Sequence, residues 1–148
     1  MDRPLKWSET YNVGHDELDA EHRRLIAAIN DVCAACDGGG SAESLRALLK
    51  AVERETVKHL THENTVMHEL FAGTAHHVAG EVKAMTKRAI DGHVAEHERN
   101  LADLRAIMQK AESEPDCGAA HICAELKRWF LDHAVKYDSH LKAIFQAL

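Results

Sequence analysis

Four stretches of this chain repeat apolar residues at steps of three and four, and every stripe carries histidine. Leu18, His22, Leu25, Ile29 and Val32 make the first stripe. Leu45, Leu48, Val52, Thr56, His59, Glu63, Val66 and Leu70 make the second. Ile90, His93, His97, Leu101, Leu104 and Met108 make the third, and Ile122, Leu126, Trp129, Phe130, His133, Tyr137 and Leu141 the fourth. Such spacing marks one inward face on each of four helices. It predicts helices over Asp16–Asp37, from Ser41 to about Gly73, from about Gly80 to Glu112, and from beyond Pro115 to the C-terminus. Gly38-Gly39-Gly40 stops the first helix and Ser41 caps the second, while Asp91 offers the third a competing, later start. Short connections then imply an all-α, antiparallel, up-down-up-down four-helix bundle. An N-terminal arm over residues 1–15 is expected to pack Trp7 and Val13 on it, with one domain spanning 1–148.

The bundle sets a geometric test for the histidines. Let the top be the end that holds Gly38–Gly40 and Pro115. Asp37 follows His22 by 15 residues, His59 follows Ser44 by 15, Glu112 follows His97 by 15, and His133 follows Gly118 by 15. All four histidines therefore lie about 22 Å below the top. A lone helical histidine is most often a surface or satisfied core residue. Four helices agreeing on one level reverse that reading.

Twelve histidines in 148 residues exceed the roughly three or four that ordinary composition supplies. They are dispersed, so metal is the favoured cause. His22, His59, Glu63, His93, His97, His133 and Asp138 offer five imidazoles and two carboxylates. One zinc ion takes four ligands. Seven suit two ions, with Glu63 and Asp138 able to bridge, and imidazole with bridging carboxylate suits iron. In a regular helix His133 and Asp138 would be offset by about 140°. The formal charge of -6 without a basic cluster argues against nucleic acid. No apolar run can span a bilayer, and Met1-Asp2-Arg3-Pro4-Leu5-Lys6 contains no apolar leader. The expectation is a cytoplasmic protein without membrane insertion.

Longer motifs carry a family resemblance. Leu18-Asp19-Ala20-Glu21-His22, His59-Leu60-x2-Glu63-x3-Met67, His93-x2-Glu96-His97-x2-Asn100-Leu101 and Trp129-x3-His133-x4-Asp138 are similar to hemerythrins, specifically bacterial hemerythrin-like domains. The resemblance implies an oxo- or hydroxo-bridged di-iron centre with the seven residues as ligands. One iron would take three histidines and the other two, leaving an open position for O2. It implies a dry pocket lined by Leu25, Leu60, Trp129 and Phe130.

Four features depart from the resembled pattern. Glu21 stands where glutamine is common and Asn64 where a second glutamate is common; the ligands are expected not to depend on either. Ala134 replaces a larger aliphatic and should open the pocket to water. The stretch from Glu63 to His93 is longer by about two turns on each helix and carries His68, His76, His77 and Glu81. It is expected to be a solvated extension, a lid or a surface for a protein partner, with an accessory metal as the sharper alternative.

Cys33, Cys36, Cys117 and Cys123 gather near the top. Free thiols are the first expectation, ahead of a redox pair or a four-cysteine zinc site.

The function implied is reversible O2 carriage, storage or delivery, without catalytic residues. Alternatives are an O2 or redox sensor that signals to a partner, and a di-iron peroxidase, nitric-oxide-handling or iron-repair protein.

Overall fold

A computed structural model describes residues 3–74, 80–113, 119–137 and 141–143, with backbone alone for 73–74, 80–86, 119–120 and 136–137. Four long helices, α1 (Asp16–Asp37), α2 (Ala42–Thr74), α3 (Gly80–Ser113) and α4 (Ala119–Leu131), account for nearly all of it. No strand occurs among the described residues. The principal contacts run α1–α2, α2–α3, α3–α4 and α4–α1, which closes a four-helix bundle. No helix is long and apolar enough to cross a membrane among the described residues.

The ends obey local chemistry. His15 caps α1 through Nδ1, which accepts from Leu18 N–H at 3.3 Å. The acidic residues Asp16, Glu17 and Asp19 fill its first turn, where the helix dipole favours them. Gly39, at φ +68°, lets the chain leave α1. Ser41 Oγ accepts from Ser44 N–H at 3.1 Å and starts α2. The third helix takes the early start and runs through Asp91 and Gly92 without a break. The described residues of the lengthened stretch continue α2 and α3.

Two apolar clusters fill the interior. The upper one joins Leu25, Ile29 and Val32 of α1 to Val52, Leu104, Leu126 and Phe130. The lower one joins Val13, Leu18, Met67, Ile90 and Leu141, with Val66, Phe71 and Val94 against it. That lower cluster gives the extended α2 and α3 an apolar purpose. His68 points to solvent, while His76 and His77 lie outside the described residues and the Glu81 side chain is not described.

The arm is tied down as expected, and by polar bonds as well. Asn30 both donates to Leu5 C=O and accepts from Leu5 N–H, each at 2.8 Å. Asp19 accepts from Val13 N–H at 2.8 Å. Trp7 lies under the Arg23 guanidinium at 4.4 Å and packs edge-on to Tyr11, which packs edge-on to Phe130.

Two expectations need correction. Helix α4 does not stay regular: at Asp132–Tyr137 it widens into a π turn. Nor are all the cysteines free. Cys33 of α1 and Cys123 of α4 form a disulfide, with Cα atoms 5.3 Å apart, a separation within the ordinary disulfide range. Cys36 is a free thiol, which burial and then Asp37 push above its ordinary pKa; Cys117 lies outside the described residues. The pairing crosses between helices because Cys33 of α1 meets Cys123 of α4, whereas i and i+3 cysteines on one helix lie with Cβ atoms about 5–6 Å apart, beyond the reach of a disulfide.

The bond closes a loop of 90 residues, so reducing it frees a long stretch of unfolded chain. Reduction, or Cys123→Ser, is expected to lower unfolding stability by about 2–4 kcal/mol. Urea midpoints with and without reductant measure this, and Cys33 and Cys123 should react with thiol reagents only after reduction.

Candidate metal centre

Between the two apolar clusters lies a polar layer. His22 comes from α1, His59 and Glu63 from α2, His93 and His97 from α3, and His133 from the first residues of the π turn. All six are buried, and Glu63 is fully so. Helical spacing of four aligns His59 with Glu63 and His93 with His97. The rings of His22 and His59 are 4.4 Å apart, those of His93 and His97 4.7 Å, and His133 stands between the pairs, 5.5 Å from His97 and 6.2 Å from His59. The shared level inferred from loop positions is the level observed.

Glu63 joins the two halves. Its Oε1 lies 2.7 Å from His93 Nε2 and 3.0 Å from His97 Nε2, and its Oε2 lies 3.0 Å from His59 Nε2. The last contact is not aligned as a hydrogen bond, so the buried Oε2 atom accepts none among the described residues. Two groups could each hold a metal ion: His22, His59, Glu63 and His133, and Glu63, His93 and His97. Glu63 belongs to both. Within each, the ligand atoms lie within 4.8 Å of one another. Imidazole and carboxylate donors shared in this way fit two borderline or hard cations such as iron. Asp138 lies outside the described residues.

Around this layer, hydrogen bonds set the rings. Tyr11 C=O can only accept, so His22 Nδ1 donates to it at 3.1 Å and Nε2 is the candidate ligand atom. Glu21 Oε1 accepts from His59 Nδ1 at 3.0 Å, and its Oε2 accepts from His62 Nδ1 at 2.7 Å. Asn64 Oδ1 accepts from His97 Nδ1 at 2.5 Å. Such partners fix a metal-binding imidazole's tautomer and orientation. Glu21 and Asn64 thus hold the rings of His59 and His97 from behind. His62 and the Tyr11 carbonyl were not anticipated. The spacing His59-x2-His62 was a usable signal for the first; a backbone carbonyl leaves none.

The expected pocket residues divide. Leu25, Phe130 and Ala134 are packed within the upper cluster, and Leu60 is buried apart from it. Phe130 meets His22 edge-on at 6.0 Å. Trp129 turns its indole N–H to Asn100 C=O at 2.8 Å. It lines a cleft of about 530 Å³ between α3 and α4, as does His133.

Burial opposes charge on Glu63, yet the polar contacts of His59, His93 and His97 hold its carboxyl well below the usual value of 4.5. Glu21 is lowered likewise: burial works against it, and bonds from His59 and His62 prevail. His97 is lowered by burial, with Glu63 opposing. Groups with depressed folded pKa values stabilise the fold above their unfolded values and lose that contribution as pH falls. The metal-free protein should therefore weaken as pH drops below about 6.5, where His97 is driven to charge, and again below about 4.5 as Glu63 and Glu21 protonate. Urea midpoints across this range test it, and Glu63→Gln should flatten the lower limb.

Residues 13–145 match the hemerythrin HHE cation binding domain. A myohemerythrin of Theromyzon tessulatum is 34% identical over 139 residues, which covers 94% of this chain and 92% of that one. No solved structure matches the chain significantly. With a cation-binding family matching across the buried histidine layer and a relative aligned along nearly the whole length, this chain belongs to the hemerythrin family.

Proposed function

We propose that the protein binds O2 reversibly at a pair of iron ions, as a carrier, store or delivery protein and not as an enzyme. The observation that carries this is the single buried carboxylate, Glu63, shared by two imidazole groups. His22, His59 and His133 would hold one iron, and His93 and His97 the other. Asp138 would supply a further carboxylate ligand. When bound, the reduced iron pair supplies two electrons to O2 and takes them back on release.

The chain's own contribution is position and dryness. Tyr11 C=O, Glu21 and Asn64 hold three rings in the ligating tautomer. Leu25, Phe130 and Ala134 exclude water from above, and Leu18 and Met67 belong to the apolar cluster below. Water exclusion denies protons to the bound ligand and so preserves reversibility. Acidic net charge and the lack of a membrane-crossing helix among the described residues support a cytoplasmic setting. There a reducing poise would keep Cys33 and Cys123 as thiols, and the disulfide is the form taken on oxidation.

A second reading, a redox or O2 sensor, is favoured by the cleft that His133 lines together with charged side chains. It gives hydrophilic solutes an approach to one imidazole of the layer. Anaerobic reduction followed by air separates the two. Visible charge-transfer bands that appear with air and vanish on degassing select carriage, and rapid bleaching to the oxidised form selects sensing. Iron analysis should give two ions per chain, and Glu63→Ala should lose both. An iron content of one, or retention in Glu63→Ala, overturns the shared-carboxylate reading.

Ala134 is buried in the upper cluster beside Phe130. Ala134→Val is expected to lengthen the lifetime of the oxygenated form by filling space beside His133, at a packing cost of about 1–3 kcal/mol. An unchanged lifetime in a folded variant would show that water does not arrive from this side.

A further inference from the structure

We propose that the cleft between α3 and α4 is the intake route for a divalent cation, with an acidic wall that draws the ion to His133. This rests on the reading that the buried layer binds metal.

The need for a route follows from burial. His22, His59, Glu63, His93, His97 and His133 are each at most 5% exposed, and apolar clusters close the layer on both sides along the bundle axis. A hydrated divalent cation cannot cross packed hydrocarbon. It needs a polar lateral path that ends on a ligand.

The cleft has that form. It holds about 530 Å³, ample for an ion with its waters at about 30 Å³ each. His133, a member of the first metal-binding group, lies in its lining. Its walls carry four carboxylates, Glu96, Asp103, Glu125 and Asp132, against two guanidiniums, Arg99 and Arg128. Glu96 is paired with Arg99. Glu125 is approached through one oxygen by Lys110 at 3.3 Å and His121 at 3.2 Å.

A second observation is independent of this charge count. Glu125 Oε2 and Asn100 Oδ1, both buried atoms of lining residues, accept no hydrogen bond among the described residues. Both are hard oxygen acceptors, which is what a partly hydrated Mg²⁺-, Fe²⁺- or Co²⁺-like ion exchanges for water as it moves. Counted with Arg99, Arg128 and Lys110, the four carboxylates leave a net negative charge, and a cleft of net negative sign with low-dielectric walls concentrates cations and raises their arrival rate.

The test is metal uptake by the metal-free protein, with cobalt(II) as probe and its visible absorption in an imidazole site as signal. Asp103→Asn with Glu125→Gln should slow uptake about threefold to tenfold at low ionic strength, while final occupancy stays unchanged. The difference should shrink in high salt as screening removes the attraction. Arg128→Gln, which removes an opposing charge, should speed uptake. Asp31→Asn changes net charge on the outer side of α1 and should leave the rate alone.

Equal rates in the wild type and the Asp103→Asn/Glu125→Gln protein overturn the route. So does equal slowing by Asp31→Asn, which would reduce the effect to net charge. Should the double variant fold poorly, the Arg128→Gln acceleration decides by itself. Failure of the wild type to take up cobalt at all would instead remove the metal-binding reading on which the route depends.

Discussion

The structure depends on one buried carboxylate. Glu63 is wholly removed from solvent and reaches imidazoles of one helix through one oxygen and a third imidazole, on its own helix, through the other. An isolated ionised carboxylate at such a position would cost many kcal/mol. The contacts that hold its charge are the same contacts that would be redirected to metal ions, so the compensation for burial and the candidate function are one arrangement. A pair broken by removing Glu63 would leave several buried polar rings without their common acceptor, a loss of about 3–5 kcal/mol for a buried charge pair.

Everything around that carboxylate serves to keep a polar layer in an apolar bundle. Clusters above and below supply the hydrophobic drive. Between them, each ring whose outer nitrogen contact is known meets a fixed acceptor: Tyr11 C=O, Glu21 or Asn64. Glu21 also reaches His62, which in turn lies 3.5 Å from the exposed Glu17. The N-terminal arm is thus part of the site, because its Tyr11 carbonyl sets the His22 ring while Asn30 and Asp19 fix the arm's path. Surface ion pairs such as Arg105–Glu53 and Arg46–Glu112 link α2 to α3 but contribute little.

Much of this was legible in the sequence, for identifiable reasons. Apolar periodicity marked α1 at Asp16–Asp37, and it carried the third helix back to Gly80 in phase, past the competing cap at Asp91. Equal distances of His22, His59, His97 and His133 from the loops placed them at one level because the rise per residue is constant. What escaped was whatever periodicity does not encode. The π turn at Asp132–Tyr137 departs from the 3.6-residue repeat that the prediction assumed. The Cys33–Cys123 pairing depends on which faces of α1 and α4 meet, while each cysteine's near neighbour in sequence suggested local motifs. The bonds between Glu21 and His59 and between Asn64 and His97 span 38 and 33 residues, so no local spacing announces them.

The two openings to the layer differ in kind, and that difference bears on how the protein would work. O2 is small and apolar, and it crosses packed side chains through their fluctuations; a wall of Leu25, Phe130 and Ala134 delays it little while rejecting water and ions. A metal ion has the opposite requirement, since it must keep polar partners throughout. The charged cleft at His133 meets that requirement and has no value for O2 itself. A dry roof and a polar side therefore need not conflict: one governs the ligand and the other the metal. They do compete at one point. Water that enters along the cleft would reach the same imidazole that the roof protects, and Trp129, held to Asn100 at 2.8 Å, lines that cleft and packs in the upper cluster as well. Under the proposed function, the balance between stable oxygenation and rapid oxidation would then depend on Trp129 and Asn100 as well as on Ala134.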